Sequence, residues 1–183
     1  MEAKDIVTIV VQPLGVSALV FAGLQLREVR ARRRADMYWK VYDLYLSEDG
    51  LASRNAVDEI EEKLGLPPHP AASDAPDDAL IERYDREFHE ARGDSDEKVL
   101  DREARWRLRF LCQTAILLRR GLLDRDLTFG LLGAGLEIDY FTLKVVVLAH
   151  RRGHDVPLYL ELDELRDDYQ QWLSKRRAAA TRR

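Results

Sequence analysis

Cysteine is nearly missing from this 183-residue chain: Cys112 stands alone, so no internal disulfide can form and the folded part needs no oxidising compartment. It sits in Arg109-Phe-Leu-Cys-Gln-Thr-Ala-Ile, where it reads as a small buried hydrophobe rather than a reactive thiol. Also missing are GxxxxGK[ST], GxGxxG, GxSxG and any CxxC pair, which disfavours the commonest nucleotide, hydrolase and zinc sites. Proline is scarce outside one stretch: four of the six fall within residues 66–78, which reads as an extended linker or long loop. No internal repeat is visible. Nothing in these absences names a reaction.

What is present suits one folded domain with an accessory segment at each end. Hydrophobic residues make up 46% and charged residues 34%, a balance that opposes wholesale disorder. The net charge of −4 conceals a gradient. Residues 27–42 carry six positive and two negative groups, residues 43–103 seven and nineteen, and residues 175–183 five and none. So acidic a first half repels nucleic acid, whose binding needs clustered Lys and Arg against phosphate, and no nucleic-acid partner is expected.

The longest hydrophobic run comes first. Ile6 to Leu26 is twenty-one residues without a charge, followed by Arg27, Arg30, Arg32, Arg33 and Arg34. At 1.5 Å per residue such a helix is about 31 Å long, against roughly 30 Å of bilayer hydrocarbon. Apolar side chains point in every direction around it, which favours lipid over a protein core. Gln12 and Pro13 weaken the case without reversing it, since membrane helices tolerate proline where hydroxyls or neighbouring helices compensate. The positive charge follows the run instead of preceding it, so a cleaved signal peptide is disfavoured, and the positive-inside rule puts the remainder of the chain in the cytoplasm. A single span over residues 6–26 within segment 1–26 is therefore expected, with a lipid-facing basic collar and juxtamembrane helix over 27–47. An interfacial helix and a soluble core helix are the alternatives. Gln12, Gly15, Ala18 and Ala22 share about a third of the helix circumference, a small-residue face that would let two spans approach, although small residues are common in any span.

The body, residues 48–174, has helical periods. Met37, Val41 and Leu44 would carry the first helix onward to a stop near Ser47–Gly50. Val57, Ile60 and Leu64 mark a helix ended by Gly65, and Ile81, Tyr84 and Phe88 another closing at Gly93. Asp94 and Glu97 suggest a capping box for a core helix reaching Arg120, with the stripe Ala104, Leu108, Leu111, Ala115, Leu118, Leu122. Ile138, Phe141, Val145 and Leu148 build a further helix, and Leu158, Leu162, Leu165, Tyr169 and Trp172 the last. Residues 145–148 and 158–162 also suit strands, though helix is preferred. Gly130-Leu-Leu-Gly133-Ala-Gly135 reads as a helix-helix turn, and 175–183 as a basic, disordered tail. The expected fold class is all-α: an N-terminal transmembrane helix followed by a small cytoplasmic helical bundle.

Candidate chemistry is thin. Glu82, Asp85 and His89 line one side of a helix at i, i+3 and i+7, as metal ligands or acid-base groups would, but no matching Glu-x-x-His supplies a second half, and a solvated face explains them. His150 and His154 are explained by the negative end of a helix dipole. Arg105-Trp-Arg-Leu-Arg-Phe110 interleaves arginine with aromatics as single-strand binders do, yet Arg105 and Arg109 fall on an outer face within reach of Asp101, so ion pairing is the simpler reading. No catalytic residue, cofactor or metal site is assigned.

Taken together, the N-terminal span, the basic collar, Phe110-Leu-Cys-Gln-Thr-Ala-Ile-Leu-Leu-Arg-Arg-Gly-Leu-Leu-Asp-Arg-Asp126, the Arg151-Arg152 helix end and a closing helix with Tyr159 and Leu165 resemble an uncharacterised bacterial and phage family of single-span membrane proteins. The resemblance implies a small helical cytoplasmic domain and brings no site residues. The expected function is a membrane-anchored interaction or regulatory module without catalysis, partnered by lipid and by another protein or a second copy. A membrane-permeabilising effector, as in phage defence, is the second reading and a membrane-bound hydrolase using Glu82, Asp85 and His89 the third.

Overall fold

The computed structural model describes the backbone of residues 3–66, 75–152 and 159–181 and, within those ranges, the side chains from residue 24 onward. Every regular element among them is a helix. The first, α1 (Ala3–Leu46), is 44 residues and so about 66 Å long. It passes through Pro13 and the arginine collar without interruption, and only its last turns enter the body, where Val41 and Tyr45 are buried. Residues 24–36 are exposed throughout. Among the described residues no helix is long and apolar enough to cross a membrane. The span expected from Ile6 to Leu26, Pro13 included, and its face of Gln12, Gly15, Ala18 and Ala22 fall almost wholly on side chains outside the described set; Leu26, which is inside it, is exposed.

The chain turns at Ser47, as the local sequence requires. The Gly50 N–H donates to Ser47 Oγ (3.1 Å), capping α2 (Glu48–Leu64), and Gly65 at φ 64° ends that helix in the left-handed region. A Cβ on Gly50 would stand 2.5 Å from the carbonyl oxygens of Leu44 and Tyr45, so only glycine lets α1 and α2 meet this tightly. After the Pro-rich segment, Asp77 caps α3 (Asp78–Tyr84), which continues into a π-turn over Asp85–His89.

The centre of the fold is α4 (Asp96–Arg119), with α2 along one side and α6 along another. Its cap is Ser95, accepting from the Lys98 N–H, one residue later than the Asp94 expected; a serine in extended backbone outcompeted the aspartate before it. Ala104, Leu108, Leu111 and Ala115 are buried as the stripe requires, whereas Leu122 is 36% exposed because Gly121 (φ 66°) has already turned the chain away.

Two expectations fail here. The glycine run 130–135 is no turn: α5 (Arg125–Arg151), capped by Asp124, passes straight through it. The reason is close packing, since a Cβ on Gly133 would lie 2.1 Å from the Tyr169 ring of α6. The basic tail is not irregular either: α6 (Leu160–Ala180) takes in residues 175–180. Alanines with high helix propensity, cations near the C-terminal dipole and the Arg176 guanidinium 4.8 Å over the Trp172 ring all favour it. Residues 145–148 and 160–162 are helical, which settles the helix or strand alternative where the chain is described. The fold class is all-α.

Candidate functional site

Four ionisable residues sit where the helical periods call for leucine. On α4, Leu100, Ala104, Leu111 and Thr114 share their face with Arg107, and Asp101 lies beside Ala104, Leu108 and Ala115 on the next. On α5 the alternation Leu132, Leu136, Asp139, Leu143, Val146, His150 steps by four and three without a fault, carrying two polar groups inward. A charged or imidazole side chain at a core position is normally a mistake of patterning unless function or a partner explains it.

Arg107 and Asp139 explain each other. Arg107 is fully buried, and its Nε and NH2 donate to Asp139 Oδ2 at 2.9 and 2.7 Å. The guanidinium lies 5.2 Å from the Tyr45 ring centroid, and Gly135 leaves it room. Burial pushes the Asp139 carboxyl up and Arg107 draws it back only in part. This pair locks α4 to α5 through Nε and Nη2, while Arg107 Nη1 is buried without a hydrogen-bond partner among the described residues.

The second cluster is less complete. His89, at the end of the π-turn, Asp101 on α4 and His150 on α5 bring one ligand-type atom each within 4.8 Å of the others, the one such group of three found among the described residues. Asp101 is wholly buried. Its Oδ1 accepts from the Tyr84 hydroxyl (2.8 Å) and lies 3.6 Å from His150 Nε2; its Oδ2 lies 2.9 Å from Arg105 and 3.9 Å from His89 Nδ1. The two imidazole centroids are 4.3 Å apart. His150 Nδ1 is 2.8 Å from the Val146 carbonyl, which can only accept, so the ring proton belongs on Nδ1 and the Nε2 lone pair faces the carboxylate. Burial holds the His150 imidazole below its usual range, and burial together with the Asp101 charge holds the Tyr84 phenol well above. His89 Nδ1, Asp101 Oδ2 and His150 Nε2 are buried without a hydrogen-bond partner among the described residues, Arg105 supplying charge off the hydrogen-bond line. Each such atom costs about 1–3 kcal/mol unless something satisfies it.

Of the three candidate ligands read from the sequence, only His89 is in this cluster. Glu82 faces outward and pairs with Arg152 at 3.4 Å, and Asp85 contributes no ligand atom. The π-turn, with Glu90 N–H donating to Asp85 O, breaks the i, i+3, i+7 register on which that face depended. Asp101 and His150 went unassigned because each was explained singly, one as an ion-pair partner and the other as a dipole charge. Their core register was the available signal. His154 lies outside the described residues. Arg105 does pair with Asp101 and Arg109 is exposed, as read. Cys112 is buried, and burial foremost pushes its thiol up to about 12, which leaves it inert.

The collar forms a second candidate surface. Arg27, Arg30, Arg32 and Arg33 are exposed, with Arg32 paired to Glu28, while Arg34 Nε donates to the Gly121 carbonyl at 2.9 Å. That contact ties α1 to the end of α4, so that Arg30, Arg33, Arg34 and Arg120 line one cleft. Arg120 joins the collar only through the fold. The Tyr38, Trp39 and Tyr42 rings cluster one to two turns beyond, with Trp39 58% exposed.

No protein-family model, curated protein or solved structure matches the chain. The resemblance to a single-span family rests on the residues quoted for it.

Proposed function

We propose that the protein is a membrane-anchored helical interaction or regulatory module, held by residues 6–26 with its body in the cytoplasm, and acting by binding, not by catalysis. The observation that carries this is the continuity of α1: one helix joins the twenty-one-residue uncharged run to a docked end at Val41 and Tyr45, with residues 24–36 exposed between. A helix so arranged transmits position from a bilayer to the body without a hinge. Arg30, Arg33, Arg34 and Arg120 converge where anionic headgroups would lie, each worth about 1 kcal/mol of attraction close to such a surface. Trp39 is about 20 Å past Leu26 along the helix, beyond the headgroup layer, and offers a protein partner or a second copy an aromatic anchor.

Removal of residues 1–34 tests the reading, because it deletes the run and collar and leaves Val41 and Tyr45 in place. A soluble fragment 35–183 with full helicity is expected. Aggregation of that fragment would show that the first helix belongs to a protein core.

The Ala18-x-x-x-Ala22 spacing beside Gln12 and Gly15 favours a second reading, a permeabilising effector assembled through its spans. Gln12→Leu with Ala18→Ile should then abolish oligomers and membrane damage; unchanged oligomeric state sinks it.

A further inference from the structure

We infer that His89, Asp101 and His150 form a binding site for one divalent transition-metal ion, clamping the π-turn, α4 and α5 together. The inference is independent of the membrane anchor. Three observations converge on it.

The first is the ligand set. Two imidazoles and one carboxylate suit first-row metals such as zinc, cobalt or iron, and the imidazoles disfavour calcium and magnesium. The second is orientation. His150 gives its Nδ1–H to the Val146 carbonyl, the outer contact that fixes a ligating histidine with its other nitrogen toward the ion. Tyr84 holds Asp101 Oδ1 in the same manner. The third is what the cluster lacks. His150 Nε2 and Asp101 Oδ1, 3.6 Å apart, are both acceptors in that tautomer, so neither satisfies the other, and the Tyr84 hydroxyl serves Oδ1 alone. His89 Nδ1, 3.9 Å from Oδ2, is likewise buried without a hydrogen-bond partner among the described residues. His89 Nδ1, Asp101 Oδ2 and His150 Nε2 are thus three buried ligand-type atoms without a hydrogen-bond partner among the described residues, and one cation would satisfy all three.

The spacing fits. Ligands about 2.1 Å from a tetrahedral ion stand about 3.4 Å from one another, so atoms that now lie within 4.8 Å of each other must draw together by up to about 1.4 Å as the ion enters. His89 is the hinge for that closure, since its side chain is 36% exposed and sits on a π-turn, an irregularity common at functional sites. Its exposed edge also gives the ion a way in, and solvent can supply the fourth ligand there. Arg105, beside Oδ2, keeps the carboxylate neutralised when the ion is absent, so the fold does not depend on occupancy.

The test uses the full chain in detergent, without a histidine tag, stripped by chelator and titrated with Co²⁺ while the visible ligand-field band and the bound metal per chain are read. One Co²⁺ per chain is expected, displaced by Zn²⁺, with a raised unfolding temperature. His89→Gln and His150→Gln should each weaken binding by about a hundredfold or more, beyond the 10–100-fold typical of outer-shell changes. Glu82→Gln and Asp85→Asn should leave binding unchanged. Absence of saturable binding overturns the inference, as does a His89→Gln protein that binds Co²⁺ like the parent. His89 is 36% exposed, so its variant is expected to fold, and circular dichroism of each variant separates lost ligation from lost structure.

Discussion

The arm and the body of this protein use arginine in opposite ways. In the arm, the four arginines of residues 27–33 stand in solvent with Glu28 as their one acidic companion, and none touches the core. In the body, Arg107 is completely buried against a single aspartate, beside the stacked rings of Tyr45 and Phe110. An exposed guanidinium contributes nearly nothing to stability and is free to meet something outside the chain. A buried one is held by its partner and shielded from anything outside the chain. The contrast says where to look for function: at groups whose partners are missing, either on the surface, as in the collar, or inside, as at His150.

The largest effect should come from breaking the buried pair. Asp139→Ala leaves Arg107 charged and unpaired in the core and should lower stability by about 3–5 kcal/mol, read by urea unfolding. Arg107→Met with Asp139→Leu should recover most of that loss, which shows the penalty to be desolvation, not a lost attraction. Next comes Gly133→Ala. Its methyl meets the Tyr169 ring, so overpacking of about 1–3 kcal/mol should exceed the roughly 1 kcal/mol that alanine gains in a helix. A melting temperature lowered by a few degrees is expected; a rise would mean that α6 moves freely off α5.

Asp163 ranks third. Burial opposes its ionisation, yet Lys144 Nζ (2.6 Å) and the Tyr140 hydroxyl (2.7 Å) together hold its carboxyl below the usual aspartate range. The folded value being depressed, its contribution is present above the unfolded value of about 3.9 and is lost as the pH falls below that through the folded value. Asp163→Asn should therefore flatten the stability profile below about pH 4 and cost about 1 kcal/mol or less at neutrality, since the carboxylate is partly exposed. Smallest in stability is the simultaneous change of Arg27, Arg30, Arg32 and Arg33 to Gln. Unfolding should be unchanged within about 0.5 kcal/mol per site, while attraction to anionic vesicles should fall by about 1 kcal/mol for each charge removed.

The sequence revealed the helices of the body because their apolar stripes and end signals agree: Ser47, Gly65 and Gly121 punctuate the chain where local chemistry says they should. It misled at Gly130–Gly135, where glycine marks a helix pressed against another and not a turn, a distinction that depends on Tyr169 some 35 residues later. The tail was misread because helix propensity without an apolar period leaves no stripe to find. The buried cluster stayed hidden for a different reason. Its three residues come from three helices, one of them irregular, and the π-turn that aims His89 at Asp101 leaves no mark in a pattern of 3.6 residues. Asp101, Arg107, Asp139 and His150 were nonetheless in core register, and polar residues in that register are the part of the site that sequence alone could have shown.

The proposed function requires that α1 begin in a bilayer and end in the body. Extraction of cell membranes at alkaline carbonate pH, followed by protease treatment of sealed vesicles with probes at both ends, tests it most directly. The full chain is expected to stay in the membrane pellet, with its body accessible only from the cytoplasmic face. Quantitative release of the intact protein by carbonate would contradict it.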